Sequence, residues 1–192
     1  MRTRSYHLIL GLGALALLTA CNSGPNPEEA RLLKDHQAML AADSAKQALQ
    51  LAREEALRAL LHMYETGTAE GAEAYLAENY VEHTPPPGME VKGVQGYKDM
   101  VVLMSKGWSE NSFTVHSFAH QGDTLYAHYT WTGRNTGEMI PGVPATNTTV
   151  RADGVEVLVF KGTKATMHWG FFEETKMMGQ LGLMPDPSAP KK

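Results

Sequence analysis

The segment His168-Trp169-Gly170-Phe171-Phe172-Glu173 sets one carboxylate beside three aromatic rings. Such neighbours keep water away from Glu173. A partly desolvated carboxyl titrates above its usual range, where it can take a proton from a carbon next to a carbonyl. Along an extended strand Trp169, Phe171 and Glu173 share a face, so the acid points where the aromatics point. The competing expectation is an exposed carboxylate in the first turn of a following helix, where negative charge is favoured anyway. His83 is the second candidate: its imidazole suits proton shuttling near neutral pH, or it is a structural histidine bonded to the adjacent loop backbone. His168 precedes Trp169 on the opposite strand face and is read as structural or exposed. Tyr80, Tyr129, Trp131, Trp169 and Phe171 are candidate walls of a substrate pocket, although aromatics on strands also serve as plain core. His116 and His120 share a strand face but find no third ligand at a zinc spacing, so no metal site is expected. No Gly-x-Ser-x-Gly elbow or phosphate loop is present.

The elements that must hold these residues follow from pattern. Glu28 to Tyr64 is rich in Ala, Leu, Glu, Gln and Lys, with no Pro or Gly, and predicts helix. Leu49, Ala52, Ala56, Leu57, Leu60 and Tyr64 make one apolar face, and Gly67 stops the helix. Its earlier half, Glu28 to Asp43, reads as a separate stalk. A short helix is expected over Ala69 to Leu76, then the rigid loop Pro85-Pro86-Pro87-Gly88, then a helix over Gln95 to Met104. From Phe113 the period changes to two. Strands are expected over 113–120, 125–132, 155–160 and 165–172, with turns at Gly122-Asp123 and Gly162-Thr163-Lys164 and a closing helix over Glu174 to Leu181. Helices first and antiparallel hairpins second is an α+β layout.

The first residues read as an export signal. Arg2 and Arg4 precede the uncharged apolar run Leu8 to Leu18, which contains Gly11-Leu12-Gly13 and is short for a membrane span. Leu18-Thr19-Ala20-Cys21 resembles the lipobox of bacterial lipoproteins, which implies that Cys21, the only cysteine, carries a diacylglyceryl anchor after cleavage. Two or more acyl chains hold firmly to a bilayer where one does not. Asn22 in place of Asp implies the outer membrane, with the domain facing the periplasm. A lone cysteine excludes intrachain disulfides, so the domain must fold on its core. Residues 21–44 are then tether and stalk, roughly 140 residues remain for one domain, and 186–192 is a tail expected to be disordered. Without Arg2 and Arg4 the chain keeps 15 Lys and Arg against 21 Asp and Glu, a formal charge of −6. No basic cluster invites nucleic acid.

Several separate stretches carry a family resemblance. Asn79-Tyr80-Val81-Glu82-His83-Thr84-Pro85 resembles the end of the helical part of SnoaL-like proteins. Trp131-Thr132-Gly133-Arg134-Asn135-Thr136-Gly137-Glu138 resembles their mid-domain turn, and Pro144-Ala145-Thr146 the small-residue loop after it. His168 to Glu173, then Gln180-Leu181-Gly182-Leu183-Met184-Pro185, resemble their C-terminal signature. The resemblance runs in order from about Ala45 to Pro185. It implies the nuclear transport factor 2-like fold: a strongly bent antiparallel sheet wrapped by helices into a cone with a pocket at its mouth.

Polyketide cyclases of this family close a ring by an intramolecular aldol step, with an acidic residue as general acid/base and no metal or other cofactor. Their acid, usually an Asp four residues after the signature Trp, corresponds to Glu173, and their pocket histidine to His83. Glu is one methylene longer than Asp, and a misplacement near 1 Å can cost about 10²-fold. Where the family often has Thr-His in the mid-domain turn, this chain has Arg134-Asn135, and Asn135 cannot shuttle a proton. Two functions are therefore expected from different classes. One is a lipid-anchored enzyme acting on a small apolar carbonyl compound. The other is a binder holding a hydrophobic small molecule or a protein partner in its cone, favoured by export because polyketide assembly is cytoplasmic. A homodimer through the sheet is the expected assembly.

Overall fold

The computed structural model describes residues 26–138 and 142–184. The signal, Cys21, most of the tether and the tail lie outside the described residues. Two compact units are distinguished, one ending at Ala45 and one starting at Lys46. In the first, a helix begins at Pro27 under a reciprocal cap: Asn26 Oδ1 accepts the Glu29 amide at 2.9 Å, and Glu29 Oε2 accepts the Asn26 amide at 3.1 Å. Residues 26–45 are exposed throughout. The helix is α1 (Pro27–Thr66), and Gly67 follows it with a φ of 70°.

In the second unit, α1 buries Arg53, Ala56, Leu57, Leu60, Leu61 and Met63. A 3-10 turn (Ala72–Ala74) leads into β1 (Leu76–Glu82), and α2 (Gly93–Gly107) follows. Then come β2 (Trp108–Gln121), β3 (Thr124–Asn135), β4 (Thr149–Lys161), β5 (Lys164–Phe172) and α3 (Glu174–Gln180). The sheet order is β1-β5-β4-β3-β2. This is the α+β architecture expected from the pattern, with two differences. Residues 76–82 form a strand, not the end of a helix, because β5 offers a pairing edge that local propensity does not foresee. That pairing is parallel, so the sheet is mixed and not wholly antiparallel.

One buried cluster joins Leu57, Leu60 and Leu61 of α1, Leu76 and Tyr80 of β1, Tyr97, Met100 and Val101 of α2, and Leu125, Leu158 and Phe160 of the sheet. A second joins Trp108, Tyr129, Trp131, Val150 and Ala152 with Leu181, and Met177 and Met178 of α3 pack on it. Arg53 ties the hairpins together. Its side chain is 3 % exposed and donates to Gly122 O, Gly162 O and Asp123 Oδ1, so one guanidinium holds both turns.

Candidate active site

The inward face of the sheet carries charge where a core would carry hydrocarbon. On β1, Tyr80 and Glu82 stand two residues apart on one face and are 2 % and 5 % exposed. The Glu82 carboxylate is heavily bonded. Oε2 accepts the Tyr80 hydroxyl at 2.9 Å, and Oε1 accepts both the backbone N–H and the hydroxyl of Thr84, at 3.0 and 2.9 Å. The register puts Glu82 beside His168 of β5, and His168 beside Leu158 of β4. The imidazole lies between two acids: Nδ1 bonds Glu82 Oε2 and Nε2 bonds Glu156 Oε2. Glu156 is itself 5 % exposed. Gly170, its partner across the ladder, gives it room, since a Cβ there would stand 3.0 Å from Glu156 Oε2.

Ionised carboxylates only accept hydrogen bonds, so a ring bonded to one at each nitrogen must donate twice and is an imidazolium. Burial works against that charge, but Glu156 and Glu82 outweigh it and the His168 pKa is pushed up to about 10. Burial likewise pushes the Glu82 carboxyl up. The His168, Thr84 and Tyr80 bonds prevail and hold it below the usual carboxylate range. Burial and the neighbouring acids raise Tyr80 through Glu82 and Tyr129 through Glu156, so both phenols stay neutral donors. The two acids flank the ring on opposite sides and cannot close on one ion. Among the described residues no group of three or more His, Cys, Asp or Glu could hold a metal.

This cluster opens on a cavity of about 30 Å³ lined by Leu57, Leu60, Leu61, Tyr64, Tyr80, Tyr97, Leu158, Glu156 and His168. Such a volume holds a water or two, so a larger ligand must push side chains aside. The Tyr97 hydroxyl donates to Leu60 O at 2.7 Å and fixes α2 against α1 here. A carboxylate that can take a proton, an imidazolium that can return it, and walls of leucine and tyrosine are the parts of an acid–base site.

The residues expected from sequence divide between the two faces of the sheet. Tyr80 lines the cavity and Tyr129 is held by Glu156. Trp131 lies in the second cluster, edge-on to Trp108, with Nε1 bonded to Asn111 Oδ1 at 3.0 Å. Met167, Trp169 and Phe171 of β5 point the other way: Phe171 is 55 % exposed, and Trp169 stacks on the exposed ring of His83 at 4.2 Å. The structure therefore does not bring His83, Trp169, Phe171 or Glu173 to the cavity. Glu173 stands in solvent just before α3. β5 has ended there while β4 continues, so Glu173 Oε2 accepts the Asp153 amide at 3.0 Å and pairs with Lys176 at 2.6 Å. Those bonds, Lys176 first, lower its pKa, which is the opposite of the expected rise. Gln180 serves β4 in the same way at Arg151.

His168, expected to be structural or exposed, is the centre of this cluster, with its side chain 19 % exposed between two buried acids. Glu82 and Glu156 were not singled out by pattern. Their one local signal is alternation, Glu82 with Tyr80 and Glu156 with Leu158 and Phe160. Of the two histidines weighed for metal, His116 bonds Thr130 at 2.7 Å and His120 bonds Glu54 at 2.8 Å.

Comparison with solved structures places this fold among known ones. TsrD from Streptomyces laurentii shares 20 % identity over 70 % of this chain and 97 % of its own, with a TM-score of 0.62. A candidate polyketide cyclase of Acidithiobacillus ferrooxidans shares 24 % over 68 % of this chain and 94 % of its own, with a TM-score of 0.60. A protein of ketosteroid isomerase-like fold from Catenulispora acidiphila, solved with trimethylamine, shares 16 % over 71 % of this chain and 98 % of its own, with a TM-score of 0.55. No functionally curated protein is detectably similar in sequence. The profile of the SnoaL-like polyketide cyclases matches residues 54–181, which contain every residue of the buried cluster and its cavity. By that match the chain belongs to the SnoaL-like polyketide cyclase family.

Proposed function

We propose that this domain performs general acid–base chemistry on a small apolar carbonyl compound, as an aldol-type cyclisation or an isomerisation, with the Glu156–His168–Glu82 chain as its machinery. The observation that carries the reading is the buried Glu–His–Glu chain at the wall of a tyrosine- and leucine-lined cavity. Glu156 takes a proton from the carbon next to the carbonyl. His168, held charged and oriented by Glu82, keeps its Nε2–H on Glu156, and its positive charge steadies the charge that develops on the enolate. Tyr64, Tyr80 and Tyr97 exclude water and shape the ligand. The test is solvent deuterium incorporation at the α-carbon of small cyclic ketones and 1,3-diketones, followed by NMR. Wild-type protein should exceed Glu156→Gln by about 10²–10⁴-fold. Wild type no faster than buffer across the panel would sink the reading.

A second reading, a binder of a hydrophobic small molecule, is favoured by the largely apolar lining of the cavity. Mass spectrometry of molecules extracted from the purified protein tests it, and Glu156→Gln would then keep the captured molecule. Both readings include a lipid tether at Cys21 and an outer-membrane location facing the periplasm, supported by Leu18-Thr19-Ala20-Cys21. Cys21→Ser should leave the precursor uncleaved and free of lipid, and an unchanged membrane fraction would refute the tether. Pairing of two copies through the outer sheet face is supported by Tyr126, Val155, Met167 and Phe171, 37–55 % exposed there. Light scattering of the detergent-free protein tests that pairing.

A further inference from the structure

We propose that His116 and His128, side by side on the outer face of the sheet, bind a divalent transition-metal ion of the Zn²⁺ class, with His116 Nδ1 and the His128 ring as its protein ligands. The pair lies on the opposite face from the Glu82–His168–Glu156 cluster, and nothing in it depends on the acid–base reading.

A bulge makes the pair. Val115 faces Tyr129 and Ser117 faces His128, so His116 is an extra residue in β2. Beyond it the alternation of the strand is reversed. Phe118 packs on the core, and the side chain of His120, 10 % exposed, bonds Glu54 of α1. His116 and His120 therefore do not share a face as their spacing predicts. His116 stays outside, exposed, beside the exposed His128 of β3, with ring centres 4.9 Å apart and planes inclined by 44°. Two imidazoles on one tetrahedral ion, each nitrogen about 2.0–2.1 Å from it, hold their ring centres about 5 Å apart.

The hydrogen bonds beneath His116 select its ligating nitrogen. Thr130 is 2 % exposed, and its hydroxyl meets His116 Nε2 at 2.7 Å and Asp153 Oδ1 on its other side. Asp153 is ionised at neutral pH and only accepts, so the single Thr130 proton goes to it. Thr130 Oγ1 then accepts from His116 Nε2–H, and the neutral ring keeps its lone pair on Nδ1. A histidine whose second nitrogen donates in this way is fixed in tautomer and orientation and made a better ligand. Imidazole nitrogen suits Zn²⁺, Cu²⁺ and Ni²⁺, whereas Ca²⁺ and Mg²⁺ take oxygen. Among the described residues no third His, Cys, Asp or Glu completes a protein cage, so water fills the other positions and the ion exchanges freely.

The experiment titrates the untagged protein with Zn²⁺ alone at about pH 7.5 and follows the histidine ring ¹⁵N and N–H signals. Binding should saturate at one ion per chain, shift His116 Nδ1 and one His128 nitrogen, and leave His116 Nε2–H in place. His116→Gln and His128→Gln, both at exposed positions, should each weaken binding about tenfold or more, since even an outer partner of a ligand is worth that much. His83→Gln should change nothing. One ion shared by two chains, with both histidines still required, supports the pair with a second copy in place of water. No saturable binding, unchanged affinity in His116→Gln or His128→Gln, or coordination through His116 Nε2 overturns the site.

Discussion

Raising the pH from 7 to 9 should weaken the fold steeply, because folded His168 holds a proton that the unfolded chain has lost. The pKa of His168 is about 10 in the folded domain and near 6.5 in an unfolded chain. Below pH 6.5 both states carry the proton and the stabilisation is fully present. Between 6.5 and 10 only the folded state carries it, so stability falls by up to about 1.4 kcal/mol per pH unit, and above 10 the contribution is gone. Two pH units thus remove about 2–3 kcal/mol, a large share of the roughly 5–15 kcal/mol that holds a domain of this size. Other groups of the cluster act elsewhere. Glu82, with its lowered pKa, loses its contribution only as pH falls through the acid range. Tyr80 and Tyr129, with raised pKa values, matter only above pH 10. The assay is urea unfolding at pH 6.5, 7, 8 and 9 for wild type and His168→Gln. Wild type should lose stability across the range, and the variant, less stable at pH 6.5, should be much flatter. Parallel curves for the two proteins would refute the charged imidazole.

Three further outcomes are expected. Arg53→Ala should cost about 3 kcal/mol in urea unfolding, since it leaves Gly122 O and Gly162 O without their buried donor. The Asp123 end of that contact, 72 % exposed, contributes little. Gly170→Ala should lower stability by about 1–2 kcal/mol and flatten the pH dependence, because the new methyl presses on Glu156 where it meets His168. Glu173→Gln should leave turnover and the melting curve nearly unchanged, as an amide oxygen can still accept the Asp153 N–H. A turnover loss beyond tenfold would return Glu173 to the chemistry.

The helices and hairpins were legible in sequence because their signals are local. An uninterrupted Ala/Leu/Glu stretch makes α1, and period-two runs around Gly122 and Gly162 make the hairpins. β1 was not legible, since Ala77, Glu78 and Asn79 favour no strand and its pairing with β5 is a tertiary fact. The proposed acid–base residues stand one position away from those the motifs offer. His83 and Trp169 lie on the outer face, while Glu82 and His168 beside them point inward, because a strand sends neighbours to opposite faces. Val155, Val157 and Val159 look like the core face of β4, yet Glu156, Leu158 and Phe160 fill the interior. A buried charge becomes readable only with its partner, and Glu82 and His168 lie 86 residues apart. Glu173 looked desolvated by its aromatic neighbours, but their rings face outward and β4 claims its carboxylate.

The most direct test of the central claim is the protonation state of His168, read from the ¹⁵N shifts and ring N–H signals of the isotopically labelled protein. Both nitrogens should carry protons at pH 7, both N–H signals should lie far downfield against their carboxylates, and the pattern should persist beyond pH 9. A neutral ring at pH 7, with one nitrogen unprotonated, would contradict the account.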